Sequence, residues 1–506
     1  MQFSPVFVSN VPNDFLIYSE QLVTLRIIPF SALLALALGG CASLDERQSV
    51  VMSNATVAIP DAWSVPDFPF DANTHQGTDL AAWWQRFGDT QLERLIDAAL
   101  SNATDVRTAQ ARLRQARAAR DLAVANLYPS LGVSADVARS RSGTGAGGSG
   151  KSQTAYSVGF DASWEPPVFG GLSDAADAAQ ADAAASEVNL KSTRASLAAE
   201  IAREYVSLRL AQQRLAIIRA NVESQAETLQ IAQWREMTGL VTRLDVEQAR
   251  ASLEQSRAAL PDLEQAYTEA EHRLSLLTGQ VPGSLHGVLQ ASRPLPKTPD
   301  GIAVGVPADT LRQRPDVRAA ELALRAEIAR TAQSEADRYP SLNLSGSFGW
   351  RSFSLSTLDS GASLVRSLAA GLMAPLLDAG RIESRIAAQT AVQDQAFIAW
   401  EKALLTALED VENAMAAYTN GRERIDARRR AAVAATVAAE LAHAQYQAGL
   451  IDFARVLEAE RTQLTTQDTL VSAEADVIIA IIQLYKALGG GWTPIENTAS
   501  PESLGS

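Results

Sequence analysis

Apolar side chains recur along this chain at two periods, seven and two. Ile201, Leu208, Leu215, Val222 and Leu229 follow one another every seven residues inside a proline-free stretch over 173–237. Seven-residue spacing keeps one apolar seam facing a partner helix, so it predicts a supercoiled helix about 95 Å long at 1.5 Å per residue. The register returns with Leu404, Val411, Tyr418, Ile425, Ala432, Ala439 and Tyr446. Shorter helices are expected over 242–277 and 453–488. They follow Gly239 and Gly449, where glycine takes the left-handed conformation that closes a helix. Each long and short helix together reads as a coiled hairpin. By themselves the heptads favour a solvated dimeric coiled coil.

Period two appears in Tyr156-Ser-Val-Gly-Phe-Asp-Ala-Ser-Trp164, where alternate residues from Tyr156 are apolar and the rest small or polar. Leu342-Asn-Leu-Ser-Gly-Ser-Phe-Gly-Trp350 repeats the pattern apart from Gly346. Each segment ends in tryptophan and has a length suited to one tilted bilayer crossing, as transmembrane barrel strands do. Partner strands over 131–138 and 364–373 alternate less cleanly. A soluble sandwich edge is the other reading of these segments. Four strands cannot close a cylinder, and an open edge in lipid leaves backbone groups unsatisfied. Two copies would enclose only side chains, whereas three would enclose water, so the pattern predicts a trimer with a twelve-stranded barrel.

The chain is also a tandem repeat with an offset of about 210 residues. Tyr128-Pro-Ser-Leu returns as Tyr339-Pro-Ser-Leu, Asp105-Val-Arg as Asp316-Val-Arg, and Thr238-Gly-Leu-Val as Ala448-Gly-Leu-Ile. A fixed period of this kind marks duplicated supersecondary units. The expected organisation is a signal and acylation segment over 1–41 and an N-terminal segment over 42–90. A first repeat follows over 91–279, with strands near 130–165, then a linker over 280–308. The second repeat covers 309–489, with strands near 341–375, and a tail covers 490–506. The fold class is α+β, a membrane β-barrel continued by a long helical coiled-coil barrel.

Composition narrows the function classes. Hydrophobic residues make up 47% of the 506 positions but aromatics only 6%, a profile for slender helices in close contact. The net charge of −14 argues against a nucleic acid partner and favours cations in any enclosed pore. The lone cysteine, Cys41, excludes an internal disulfide framework. It follows an apolar run headed by Arg26 and ending in Leu38-Gly39-Gly40, too short to span a bilayer and suited to a secretory signal. Asp14 and Glu20 fit a signal's basic start poorly, so translation is expected to begin near Val23 or Leu25.

Several of these motifs together resemble the TolC family, closest to its OprM-like and NodT-like efflux lipoproteins. The resemblance rests on Leu38-Gly-Gly-Cys41, Arg314-Pro-Asp-Val-Arg-Ala-Ala-Glu321 and both Tyr-Pro-Ser-Leu entries to strands. It also rests on Trp164-Glu-Pro-Pro-Val-Phe-Gly170, Pro375-Leu-Leu-Asp-Ala-Gly-Arg381 and Tyr485-Lys-Ala-Leu-Gly-Gly-Gly-Trp492. Pro167 departs from the family, which commonly has aspartate there. The resemblance implies a lipid-anchored homotrimeric duct in the outer membrane, acylated at Cys41 and passing through the periplasm. Its partners would be a periplasmic adaptor and an inner-membrane pump of resistance-nodulation-division type. Gly239, Leu240, Gly449 and Leu450 match the family's adaptor-contact signature at the hairpin tips. Tyr446, Asp452, Glu458 and Arg461 match the positions that latch its periplasmic gate, with Glu458 where relatives often have aspartate. Solvated helix charges are the plain alternative for that quartet.

No enzyme chemistry is expected, and no cofactor or metal site. Gly145-Ala-Gly-Gly-Ser-Gly-Lys-Ser152 spells a phosphate-binding loop, yet a period-two strand follows it where such a loop needs a helix N-terminus. His75, His272, His286 and His443 lack metal-ligand spacing. Two further readings stay open from sequence, a type I secretion duct for polypeptides and a lipid-anchored coiled-coil adhesin.

Overall fold

The computed structural model describes residues 44–53, 55, 57–65, 68, 80–141, 143, 150–299 and 307–492. The chain divides into two compact units, 1–51 and 52–506. Of the first, only 44–51 are described, as most of helix α1 (Leu44–Met52).

In the second unit a short 3-10 turn spans Trp83–Phe87. Helices α2 (Thr90–Asn102) and α3 (Thr104–Ala125) follow, then strands β1 (Ser130–Arg141) and β2 (Ser152–Trp164), then the hairpin α4 (Gly171–Met237) and α5 (Arg243–Leu277). A single helical turn, α6 (His286–Leu289), leads to α7 (Pro307–Gln313) and α8 (Pro315–Ala336). The same order then recurs as β3 (Ser341–Ser352), β4 (Leu364–Met373), α9 (Arg381–Gln447) and α10 (Phe453–Ala487). Both long helices have 67 residues, about 100 Å each. Among the described residues no helix is long and apolar enough to cross a membrane.

Helix α4 is the spine. It packs against α3 and α8 along its first half and against α5 and α10 along its second, while α9 packs against α8 and then α10. Small residues permit this closeness: Ala176, Ala178, Ala181, Ala183 and Ala185 are buried near the start of α4, and Ala407, Ala414, Ala432, Ala435 and Ala439 along α9. At Gly421 an added Cβ would lie 2.6 Å from a Val477 methyl, so α9 and α10 touch there without a side chain between them.

Where the repeats meet, the core thickens with aromatics. Trp83 stacks on Tyr485 with centroids 5.5 Å apart, and Phe87 meets both edge-on. Two buried arginines tie distant segments to this belt. Arg209 donates to Gln212, Gln91, the Tyr205 hydroxyl and the Ala291 carbonyl. Arg314 donates to Asp316, Asp410 and the carbonyls of Ala407 and Ala487. Burial would lower the Arg314 pKa, but the two carboxylates outweigh it and raise it.

The four strands form one antiparallel sheet in the order β1-β2-β3-β4, so the outer edges of β1 and β4 have no partner among the described residues. The strands are longer than the alternation alone predicts, because ladder bonds continue after the apolar residues end. Helices adjoin one end of the sheet and the β1–β2 and β3–β4 loops the other. The glycine-rich run lies largely outside the described residues, and β2 begins directly after it at Ser152.

Candidate functional site

Residues directly opposite in a ladder share a face of the sheet. One face holds the rows Ala135, Val158, Trp350, Leu364 and Val133, Phe160, Phe348, Arg366, with Leu131, Ala162, Gly346, Leu368 beneath. Within these rows Arg366 is the one charged residue, and the face is open: Leu131, Val133 and Val137 are each about 70% exposed and Leu368 89%. The opposite face holds the rows Ser134, Gly159, Gly349, Val365 and Gly132, Asp161, Ser347, Ser367. Its side chains bond to each other, Ser134 to Asp161 at 2.7 Å and Ser347 with Ser367 at 2.7 Å. An oily face and a hydroxyl-lined face back to back are what a sheet between lipid and water requires. In β1 too the apolar residues keep period two over Leu131–Val137, which the register makes plain where the sequence alone is ambiguous.

The far ends of the hairpins share one geometry. At the first, Gly239 has φ +72°, Leu240 N–H donates to Arg235 O and Gly239 N–H to Glu236 O, both at 2.9 Å. At the second, Gly449 has φ +75°, and Leu450 and Gly449 bond in the same way to Gln445 and Tyr446. This pairing of bonds satisfies the last helix carbonyls and reverses the chain. It leaves Leu240 and Leu450 about three-quarters exposed at the two tips. The return helices are capped by Thr242, in a reciprocal box with Asp245, and by Asp452, which accepts from Arg455 N–H.

The structure divides the gate quartet. Tyr446 is buried, its ring 5.6 Å from Phe453 and covered by the Arg235 guanidinium at 4.3 Å. Burial raises the Tyr446 pKa above its ordinary value, opposed by Arg235. Asp452 serves as the helix cap. Glu458 and Arg461 lie exposed on α10, three residues apart, with no ion pair among the described residues. Cys41 lies outside the described residues.

Sequence reading missed the contacts that tie the second hairpin together and to the first. His443 Nε2 on α9 lies 3.0 Å from Oε1 of Glu460 on α10, and Thr228 on α4 donates to the same oxygen at 3.1 Å. Arg235 also donates to the Gln447 carbonyl. The signal was present: Glu460 falls seven residues after Phe453, placing a carboxylate on the apolar seam. Among the described residues no group of three or more His, Cys, Asp or Glu could hold a metal ion.

The sequence profile of the outer membrane efflux protein family matches residues 95–280 and 306–490. The outer membrane protein OprJ of Pseudomonas aeruginosa is 30% identical over 465 residues, covering 91% of this chain and 95% of that protein. The cation efflux system protein CusC of Escherichia coli is 28% identical over 476 residues, covering 92% and 99%. The solved structure of the outer-membrane channel OprN superposes with a TM-score of 0.81 at 33% identity, covering 87% of this chain and 99% of that one.

Proposed function

This chain belongs to the outer membrane efflux protein family, and on that premise we propose that three copies close one conduit through which an inner-membrane pump discharges small molecules. The protein is an outer-membrane exit duct. The observation that carries the trimeric reading is the sheet: apolar on one face, hydroxyl-lined on the other, and unpaired at both edges. Four strands in each of three copies give twelve, enough to enclose water. Val392, Ile398, Leu405, Val433, Val437 and Leu441 add an exposed apolar flank along α9, where another copy would pack.

Cys41 is the acylated anchor. Gly239, Leu240, Gly449 and Leu450 are the contacts for a periplasmic adaptor, because paired exposed leucines on rigid turns offer the same knob twice per copy. Tyr446, Asp452, Glu458 and Arg461 form the gate. In this reading Tyr446 fixes the second hairpin against the first, while Glu458 and Arg461 find their counter-charges across the threefold axis. The pump is of the resistance-nodulation-division type and supplies the energy; the duct itself is passive.

Mass measurement in detergent together with planar-bilayer recording tests this. A trimer with discrete conductance is expected. A stable monomer, or a trimer that carries no current, would overturn it.

A further inference from the structure

Arg366 is the one charged residue in the apolar rows of the sheet. It stands on β4 directly opposite Phe348, in the row that runs through Phe160 to Val133. It is exposed and has no ion pair among the described residues, and the same holds for Arg139, which shares the outward face with Val137 two residues before it. Both arginines are the third residue from the loop end of their strands, β1 ending at Arg141 and β4 starting at Leu364.

The register says how these two edges would meet. At the loop end, the row through Leu364 reaches β1 at Ala135, six residues short of Arg141; at the helix end, the row through Ser130 reaches β4 at Ala369, four short of Met373. The strands are therefore staggered by four to six residues over three steps, the tilt that a barrel needs. A fourth step of the same size carries the row of Arg366 onto the next copy's β1 about six residues beyond Val133, at Arg139. An even shift also keeps each side chain on its face.

Resting on the trimeric barrel proposed above, we propose that each seam between copies carries a lipid-facing anion site, formed by Arg366 of one copy and Arg139 of the next, that binds the phosphate of an outer-leaflet lipid. Two guanidiniums on adjacent strands repel each other unless an anion lies between them, and a phosphate fits the bidentate guanidinium fork. A lipid is the occupant because Phe348 beside Arg366 and the rows below it, Leu368 among them, form a continuous apolar surface for acyl chains. Tyr156 and Trp350 stand on the same face near the loop end, at the level where amphipathic rings meet headgroups.

Native mass spectrometry of the full chain in detergent, with bisphosphorylated lipid A added, tests the site. The trimer is expected to take up to three lipid adducts, with Arg366→Gln and Arg139→Gln each binding about tenfold more weakly. Arg351→Gln, on the opposite face beside Ser157, should bind as the parent does. Dephosphorylated lipid A should bind weakly, and millimolar inorganic phosphate should not displace the lipid. A trimer whose adducts survive both substitutions would overturn the site. Displacement by inorganic phosphate would overturn the lipid as its occupant. A monomer would instead overturn the barrel reading on which it rests.

Discussion

His443 and Glu460 face each other across the second hairpin at 3.0 Å, the histidine partly exposed on α9 and the carboxylate buried on α10. The hydrogen bond to Glu460 is the main cause that raises the His443 pKa above its ordinary 6.5; burial opposes it, and the charges of Glu460 and of Glu227 on α4 add to it. A raised folded pKa means that this contribution is complete below the unfolded value and fades as pH climbs through the folded one. The second carboxylate oxygen of Glu460 has no hydrogen-bond partner among the described residues, so losing the imidazolium leaves a poorly compensated buried charge.

The hairpin tips should therefore loosen as pH rises above the ordinary histidine value of 6.5 and through the raised folded one. Limited proteolysis near the tips would read this as a rising cleavage rate. His443→Gln should be cleaved at a rate nearly flat over the same range. A parent protein with no slope would remove this pair from the stability of the tip.

Arg461 is exposed and has no ion pair among the described residues, yet threefold closure would bring three Glu458 and three Arg461 side chains around one axis. Arg461→Ala should leave like charges facing each other and open the aperture. Single-channel recording should show a larger conductance, while Arg455→Ala, further toward the tip, should change it less. Equal conductance in Arg461→Ala and the parent would exclude Arg461 from the gate.

Arg314 is held on four sides, and its side chain is only 7% exposed. Replacing it with methionine keeps some of the volume but strips partners from two main-chain carbonyls and two carboxylates. A loss of roughly 3 kcal/mol is expected, read as a lower midpoint of denaturant unfolding. Arg318→Met, a partly exposed site one turn along α8, should cost less than about 1 kcal/mol.

Gly159 and Gly349 are direct partners in the β2–β3 ladder. A Cβ on Gly349 would clash with the Val158 carbonyl and lie 2.5 Å from Gly159 Cα, which is backbone and has nowhere to go. Gly349→Val should separate β2 from β3 and lower the yield of folded protein from detergent refolding. Gly371→Ala, whose added carbon meets nothing within 4 Å, should refold at the parent's yield.

Much of this was legible in the residues themselves. Heptads in Ile201–Leu229 and Leu404–Tyr446 specify long helices, alternation in Tyr156–Trp164 specifies a strand, and Gly239 and Gly449 mark the turns, because each depends on neighbours a few positions away. These local periods also sufficed to show that one chain leaves its sheet open. Tertiary structure alone decided which distant side chains would meet: Arg235 with Tyr446, Thr228 with Glu460, Arg314 with Asp410, Arg366 in a row with Val133. Those pairs are separated by about 100 to more than 200 residues, so no spacing in the sequence encodes them. They follow from the rotation and register at which helices and strands lock together, and that choice is made by the packing of the whole molecule.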